Sequence, residues 1–224
     1  PSFTELFGFF PSSFVGNPDL KPEKSLGWDA GVEQSLWGGR GTVDLTYFQN
    51  DLTDEIETVF DPNTFLLSAR NQKGKSKRRG IELSARAGLA HGLSLTGAYT
   101  YTDAQDPEGN REVRRPKHTG SLALNWRPLG GRADINLSGQ YNGRMKDVVF
   151  VPSIPNGRVN LGSYVLVNLA ASYTVTDHVQ ILARIDNLLD DHHEDVFSFR
   201  STGIGAFVGL KVGLERPPRG RSDL

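Results

Sequence analysis

The stretch RADINLSGQY, residues Arg132 to Tyr141, alternates without a break. Ala133, Ile135, Leu137, Gly139 and Tyr141 are uncharged and mostly apolar, whereas Arg132, Asp134, Asn136, Ser138 and Gln140 are polar. A side-chain period of two is that of a β-strand whose two faces meet different media. The fold depends on which media these are, and on how many other segments repeat the pattern.

Eight more segments repeat it. LGWDAGVEQSL sets Leu26, Trp28, Ala30, Val32 and Leu36 against Asp29, Glu33 and Ser35. GTVDLTYFQ opposes Val43, Leu45 and Tyr47 to Asp44 and Thr46, and GIELSARAG opposes Ile81, Leu83, Ala85 and Ala87 to Glu82, Ser84 and Arg86. LSLTGAYTYT, GSLALNW, YVLVNLAASY, HVQILARID and GIGAFVGLKVGL follow, the third of them more blurred than the rest. No apolar face carries a charge, and no segment keeps a helical period. The connections alternate too. WGGRG, GLAHG, PLGG and TVTDH read as tight turns, while residues 51–76, 103–118, 142–160 and 189–202 read as long polar loops. Nine antiparallel strands are therefore expected, with the last one running toward the tight-turn end.

Composition narrows the medium. The 224 residues include 37% hydrophobic residues, 25 glycines, no cysteine and a net charge of −1. A disulfide framework and a thiolate metal site are excluded, and bulk charge offers nothing to nucleic acid. No apolar run approaches 18 residues, which excludes a transmembrane helix but not a barrel of alternating strands. Either a soluble barrel with apolar residues inside or a membrane barrel with apolar residues outside fits the alternation. Four long loops on one rim and an odd strand count favour the membrane. So do Tyr99, Tyr101, Trp126, Tyr141 and Tyr173, placed near strand ends as an interfacial girdle would be. A chain starting at Pro1, with no initiating methionine or signal peptide, reads as a piece of a longer protein.

NPDLKPEKS (Asn17 to Ser25), RGIELSARAG (Arg79 to Gly88), RRPKHTGSLALNW (Arg114 to Trp126), the stretch Tyr164 to Asp191 and TGIGAFVGLKVGL (Thr202 to Leu214) resemble, in order, segments of TonB-dependent outer-membrane receptors. The opening Pro1 to Ser25 and the closing NLLDDHHEDVFSF are similar to the cobalamin (vitamin B12) receptor branch. The resemblance implies an all-β, 22-stranded transmembrane barrel filled by a plug, of which residues 1–214 would supply about nine strands and no plug. It also implies a transport receptor rather than an enzyme, with no cofactor and no catalytic residues. Such a receptor takes up a scarce large ligand, cobalamin or alternatively a ferric siderophore, and is driven by TonB acting through the plug. A passive porin-like or structural barrel is the other reading. The implied partners are outer-membrane lipid, lipopolysaccharide and the barrel-assembly machinery. Family members usually close the last strand with an aromatic residue, where Leu214 stands here, and residues 215–224 read as a disordered tail.

Candidate site residues follow from the loops. YNGRMKD resembles the stretch where cobalamin receptors place a ligand-touching arginine, which suggests Arg144, and Asn110 falls near another such position. Phe9, Phe10 and Phe14 form an aromatic-rich segment suited to a large, partly apolar ligand. DDHHED (Asp190 to Asp195) lacks ligand spacing and reads as a solvated loop, so no metal site is expected. KGKSKRRG (Lys73 to Gly80) is basic without an aromatic platform; it is expected to line a lumen or meet lipopolysaccharide phosphates rather than nucleic acid. No spacing of Ser, His and Asp suggests a nucleophile.

Overall fold

The computed structural model describes residues 1–62, 64–149 and 157–213. Nine strands form one antiparallel meander in which each hydrogen-bonds to its neighbours in sequence. They are β1 (Lys24–Leu36), β2 (Gly41–Thr53), β3 (Lys75–Gly88), β4 (Leu93–Gln105), β5 (His118–Trp126), β6 (Ala133–Asn142), β7 (Tyr164–Thr176), β8 (Val179–Asp186) and β9 (Gly205–Val212). β1 and β9 are its two edges. From the sequence, the last strand is expected to reach Leu214, followed by a disordered tail over residues 215–224; both lie outside the described residues.

The register carries the alternation across every strand. Leu36, Gly41, Ala87, Leu95, Leu124, Leu137, Leu169, Ile185 and Ala206 lie directly opposite one another in turn, one per strand. One residue away on the opposite face run Ser94, Asn125, Asn136, Ala170, Arg184 and Phe207. A slip of one residue in any strand would place polar groups in the apolar row. The separation is strict on the apolar side near the strand middles and looser on the other. Leu166 and Ala170 of β7, Leu182 of β8 and Phe207 of β9 fall on the polar face, which accounts for the blurred alternation of β7. Gln34 falls on the apolar face, close to the turn after β1.

The apolar face is not a core. Leu26 is 79% exposed, Val32 68% and Val208 84%. A soluble barrel packs such residues inside, where each stabilises by about 1.5–3 kcal/mol. Here the face is left open, as a lipid-facing wall requires. The buried apolar residues lie elsewhere: Leu20, Ala69, Ala104, Met145, Val149 and Leu161 gather at the long-loop end, with Ala133 at the other.

The five aromatic residues all share the apolar face, in two groups. Tyr99, Tyr101 and Tyr141 lie toward the long loops, Trp126 and Tyr173 toward the tight turns. Trp126 stands opposite Leu93 and Tyr101 opposite His118 at the far end of the same strand pair. At about 3.3 Å per residue the two groups are separated by roughly 26 Å along β4, close to the height of a transmembrane apolar band.

Three of the tight turns use left-handed backbone at Trp37 (φ 51°), His91 (φ 60°) and Leu129 (φ 57°), each followed by a glycine that also has positive φ. The long loops are less open than their polarity suggests. Residues 51–76 contain a hairpin of Ile56–Asp61 and Leu66–Asn71, residues 142–160 hold Met145–Val148 paired with Arg158–Leu161, and residues 189–202 hold Glu194–Val196 paired with Phe199–Arg200. The N-terminal segment, including one short helix at Phe3–Phe7, packs against the first of these hairpins.

Candidate functional site

The long-loop end is where side chains converge, and two ionic knots hold it. In the first, Asp147 is fully buried between Met145 and Val149. Its carboxylate accepts hydrogen bonds from the Phe197 amide at 2.7 Å, the Val148 amide at 2.8 Å and Arg114 Nε at 2.8 Å. Three separate loops therefore meet on one acid. Burial pushes the Asp147 carboxyl upward, but these donors outweigh it and hold the group below the usual carboxylate range. In the second knot, Arg78 joins Glu55 at 3.0 Å to Glu112 at 2.9 Å, tying the turn after β2 to the loop after β4.

Two further contacts close the second loop onto the third. The Arg114 amide donates to the Lys146 carbonyl at 2.7 Å, and Arg158 Nη1 donates to the Arg111 carbonyl at 3.2 Å. Gly143 permits a close approach here, since a Cβ at this position would lie 2.7 Å from the His118 carbonyl oxygen.

Between these loops lies a cleft of about 520 Å³, lined by Arg111, Arg144, Met145, Lys146, Asn160, Leu161 and Gly162. Met145 and Leu161 are paired and buried, giving an apolar floor. The charged groups of the lining are all cationic. Among the described residues Arg144 and Lys146 form no ion pair, and Nη2 of Arg111 is buried without a hydrogen-bond partner. An unpaired buried donor is costly, and an acceptor on a ligand would satisfy it. The cleft can bind an anion through several charge-assisted hydrogen bonds.

The sequence-derived residues are divided between two places. Arg144 lines the cleft. Asn110 stands beside it, closing a tight turn in which its amide donates to Asp106 Oδ1 at 2.7 Å. Phe9, Phe10 and Phe14 lie in another assembly, a small sheet of Phe9–Phe10, Phe14–Val15, Leu66–Asn71 and Ile56–Asp61. There Phe10 faces Phe14, Phe14 faces Leu67, and Leu67 faces Phe60, forming one apolar ridge. Phe10 is 52% exposed and Phe60 56%. Asn17 and Asn71 anchor this sheet to the segment before β1: Asn17 Nδ2 donates to the Ala69 carbonyl at 3.0 Å, and Asn71 Nδ2 donates to the Lys21 carbonyl at 2.8 Å.

Arg111 and Lys146 were not legible as site residues from the sequence. Their signal was the dense basic character of REVRR and RMK on two loops, which cannot by itself report that the loops meet. Within DDHHED, Asp190 Oδ1 accepts from the Ile204 amide at 2.8 Å, His193 stacks on Tyr164 at 3.7 Å, and Asp195 accepts from the Tyr164 hydroxyl at 2.7 Å. Each of these groups serves the loop itself.

A family model described as TonB dependent receptor-like, beta-barrel, matches residues 1–188. Among solved structures, the ferripyoverdine receptor of the outer membrane of Pseudomonas aeruginosa is 19% identical with a TM-score of 0.71, over 86% of this chain and 27% of its own. The siderophore receptor PirA from Acinetobacter baumannii is 21% identical with a TM-score of 0.71, over 89% of this chain and 33% of its own. The FrpB iron transporter from Neisseria meningitidis is 14% identical with a TM-score of 0.68, over 89% and 32%. The chain thus spans about a quarter to a third of the length of the structures it matches.

Proposed function

Because the chain belongs to the TonB-dependent receptor β-barrel family, we propose that it is the C-terminal part of the barrel of a longer outer-membrane receptor, and that this receptor captures an anionic ferric chelate at its extracellular rim. In this reading the long loops face the outside of the cell and the tight turns the periplasm. The polar face then lines the lumen and the apolar face meets lipid. A ferric ion wrapped in catecholate or carboxylate oxygens retains negative charge, and the cationic cleft of Arg111, Arg144 and Lys146 is the single observation that carries this choice. The siderophore and iron receptors among the matched structures support the same ligand class.

Import would require a plug and contact with TonB elsewhere in the longer protein, and insertion would use the barrel-assembly machinery. Cobalamin is the second reading. The similarity of the opening and closing stretches to the cobalamin branch favours it, as does the ridge Phe10–Phe14–Leu67–Phe60, which suits a large and partly apolar ligand.

The test is a binding titration of the full-length, detergent-solubilised receptor with ferric catecholate and carboxylate chelates, with an uncharged ferric hydroxamate as the contrast, and with cyanocobalamin. An anionic ferric chelate is expected to bind more tightly than the uncharged one, and Arg144→Ala or Lys146→Ala is expected to weaken it about tenfold each through loss of a charge-assisted hydrogen bond. Tight cobalamin binding with no ferric chelate bound would overturn this assignment.

A further inference from the structure

The rim is built as two halves, and the cleft lies on the seam between them. On one side Arg78 binds Glu55 and Glu112, which ties the first long loop to the second and steadies the segment that carries Arg111. On the other side the Phe197 amide donates to Asp147, which ties the last long loop to the hairpin of Met145–Val148 and Arg158–Leu161, with Arg144 at its root. Two ion pairs cross the seam in opposite senses. Arg114 of the second loop reaches Asp147 of the hairpin at 2.8 Å. Arg158 of the hairpin reaches Asp106 of the second loop at 3.5 Å, and its Nη1 donates to the Arg111 carbonyl at 3.2 Å. Asp106 is itself fixed, since its Oδ1 accepts from the Asn110 amide at 2.7 Å and the Glu108 amide at 3.1 Å. Arg158 therefore grips the turn before Arg111 at its start and just past its end.

We propose that Arg158 and Asp106 form a staple that sets the width of the cleft, so that they are positioning residues selecting compact anions over bulky ones. This role rests on the reading of the cleft as an anion site and adds what limits the size of its ligand. Neither residue lines the cleft. They act through residues that do: Arg111 on one wall, and Asn160 on the other, two positions along the strand from Arg158.

An anion small enough to reach Arg111, Arg144 and Lys146 with the seam closed leaves the staple intact. A bulkier one has to part the halves about the fully buried Asp147, which stays closed as the pivot. Its binding is then weakened by the free energy of the staple it breaks, because a ligand is favoured only by its differential affinity for the two arrangements. The Arg158 and Asp106 side chains are 41% and 16% exposed, so the ion pair alone contributes about a threefold factor. The carbonyl hydrogen bond on the same guanidinium brings the whole staple to about tenfold.

The test uses the full-length receptor in detergent and two hexadentate ferric tris-catecholates of equal charge, one on a plain benzene frame and one with ethyl groups added to that frame. Wild type is expected to prefer the compact chelate by about tenfold or more, as a fitted pocket does for a small increment in size. Asp106→Asn keeps an oxygen acceptor for the Asn110 and Glu108 amides and is expected to shrink that preference about threefold. Arg158→Gln is expected to shrink it about tenfold, and Arg158→Lys to restore most of it. The ratio separates geometry from charge. Loss of an acid or a base beside an anion site moves both chelates together, upward in Asp106→Asn and downward in Arg158→Gln, whereas a lost staple shrinks the preference in both. A preference unchanged in these two variants would overturn the proposal, as would a wild type that binds both chelates equally. If wild type binds neither, the anion reading of the cleft fails, and the staple is judged without ligand. Nitroxide labels at Glu108 and Asn160 should then give a narrow distance distribution that broadens in Arg158→Gln and not in Arg158→Lys. Equal widths in all three forms reject the staple.

Discussion

Leu137→Arg is expected to strip assembled receptor from the outer membrane, while Ser138→Arg, one residue along, leaves assembly close to normal. Leu137 sits mid-strand in β6, flanked by Leu124 and Leu169 on the apolar face. Arginine at a lipid-facing midplane position costs about 2–4 kcal/mol, a large share of the stability of most folded domains. Ser138 is flanked by Ala123 and Asn168 on the lumen face, where a guanidinium stays hydrated. The check is the folded fraction in membranes, measured by heat-modifiable migration, with the urea midpoint of refolded protein as a second readout. Equal loss in both variants would mean that the two faces of β6 do not differ in medium.

Asp147→Ala is expected to open the long-loop rim without disturbing the wall. The side chain takes the Phe197 amide, the Val148 amide and the Arg114 guanidinium. Its removal leaves two backbone donors without their acceptor, at a cost of about 1–3 kcal/mol for each that stays buried, and takes one carboxylate partner from Arg114. Hydrogen exchange at Val148 and Phe197 should accelerate by tenfold or more, and ligand affinity should fall, because Lys146 is held on the same strand. Amides of β6 and β7 should keep their protection; if they lose it together with the rim, the knot is not local.

Acid titrates the same contact. Because the folded Asp147 carboxyl is held below its ordinary value, its contribution is complete at pH values above about 4, the unfolded carboxylate range, and is lost as pH falls through the lower folded value. The rim should therefore stay closed at neutral and mildly acid pH and loosen only in stronger acid. Opening near pH 6 would point to another group.

The wall was legible in sequence and the rim was not, for one physical reason. Between two media, each residue of a strand is chosen by the side it faces, so Ile135 and Asn136 report their surroundings without knowledge of any neighbour. The rim is built from contacts between loops far apart in sequence. Arg114 meets Asp147 and Phe197 only because three strand ends come together, and no local period records that meeting. Arg144 could be singled out through resemblance, but Arg111 and Lys146, which complete its cleft, carry no signal beyond their charge. KGKSKRRG shows the opposite case: its charge is obvious, yet only the register of β3 assigns Arg78 to one side and Lys77 to the other.

The account stands on one partition, hydrocarbon outside the sheet and water within. Nitroxide labels placed singly at Ile135, Asn136, Leu137 and Ser138 of the full-length receptor in liposomes measure it directly. Labels at Ile135 and Leu137 should collide readily with oxygen and poorly with a water-soluble nickel chelate, and those at Asn136 and Ser138 should do the reverse. Nickel accessibility at Ile135 and Leu137, with oxygen-rich, chelate-free surroundings at Asn136 and Ser138, would contradict the partition and everything built on it.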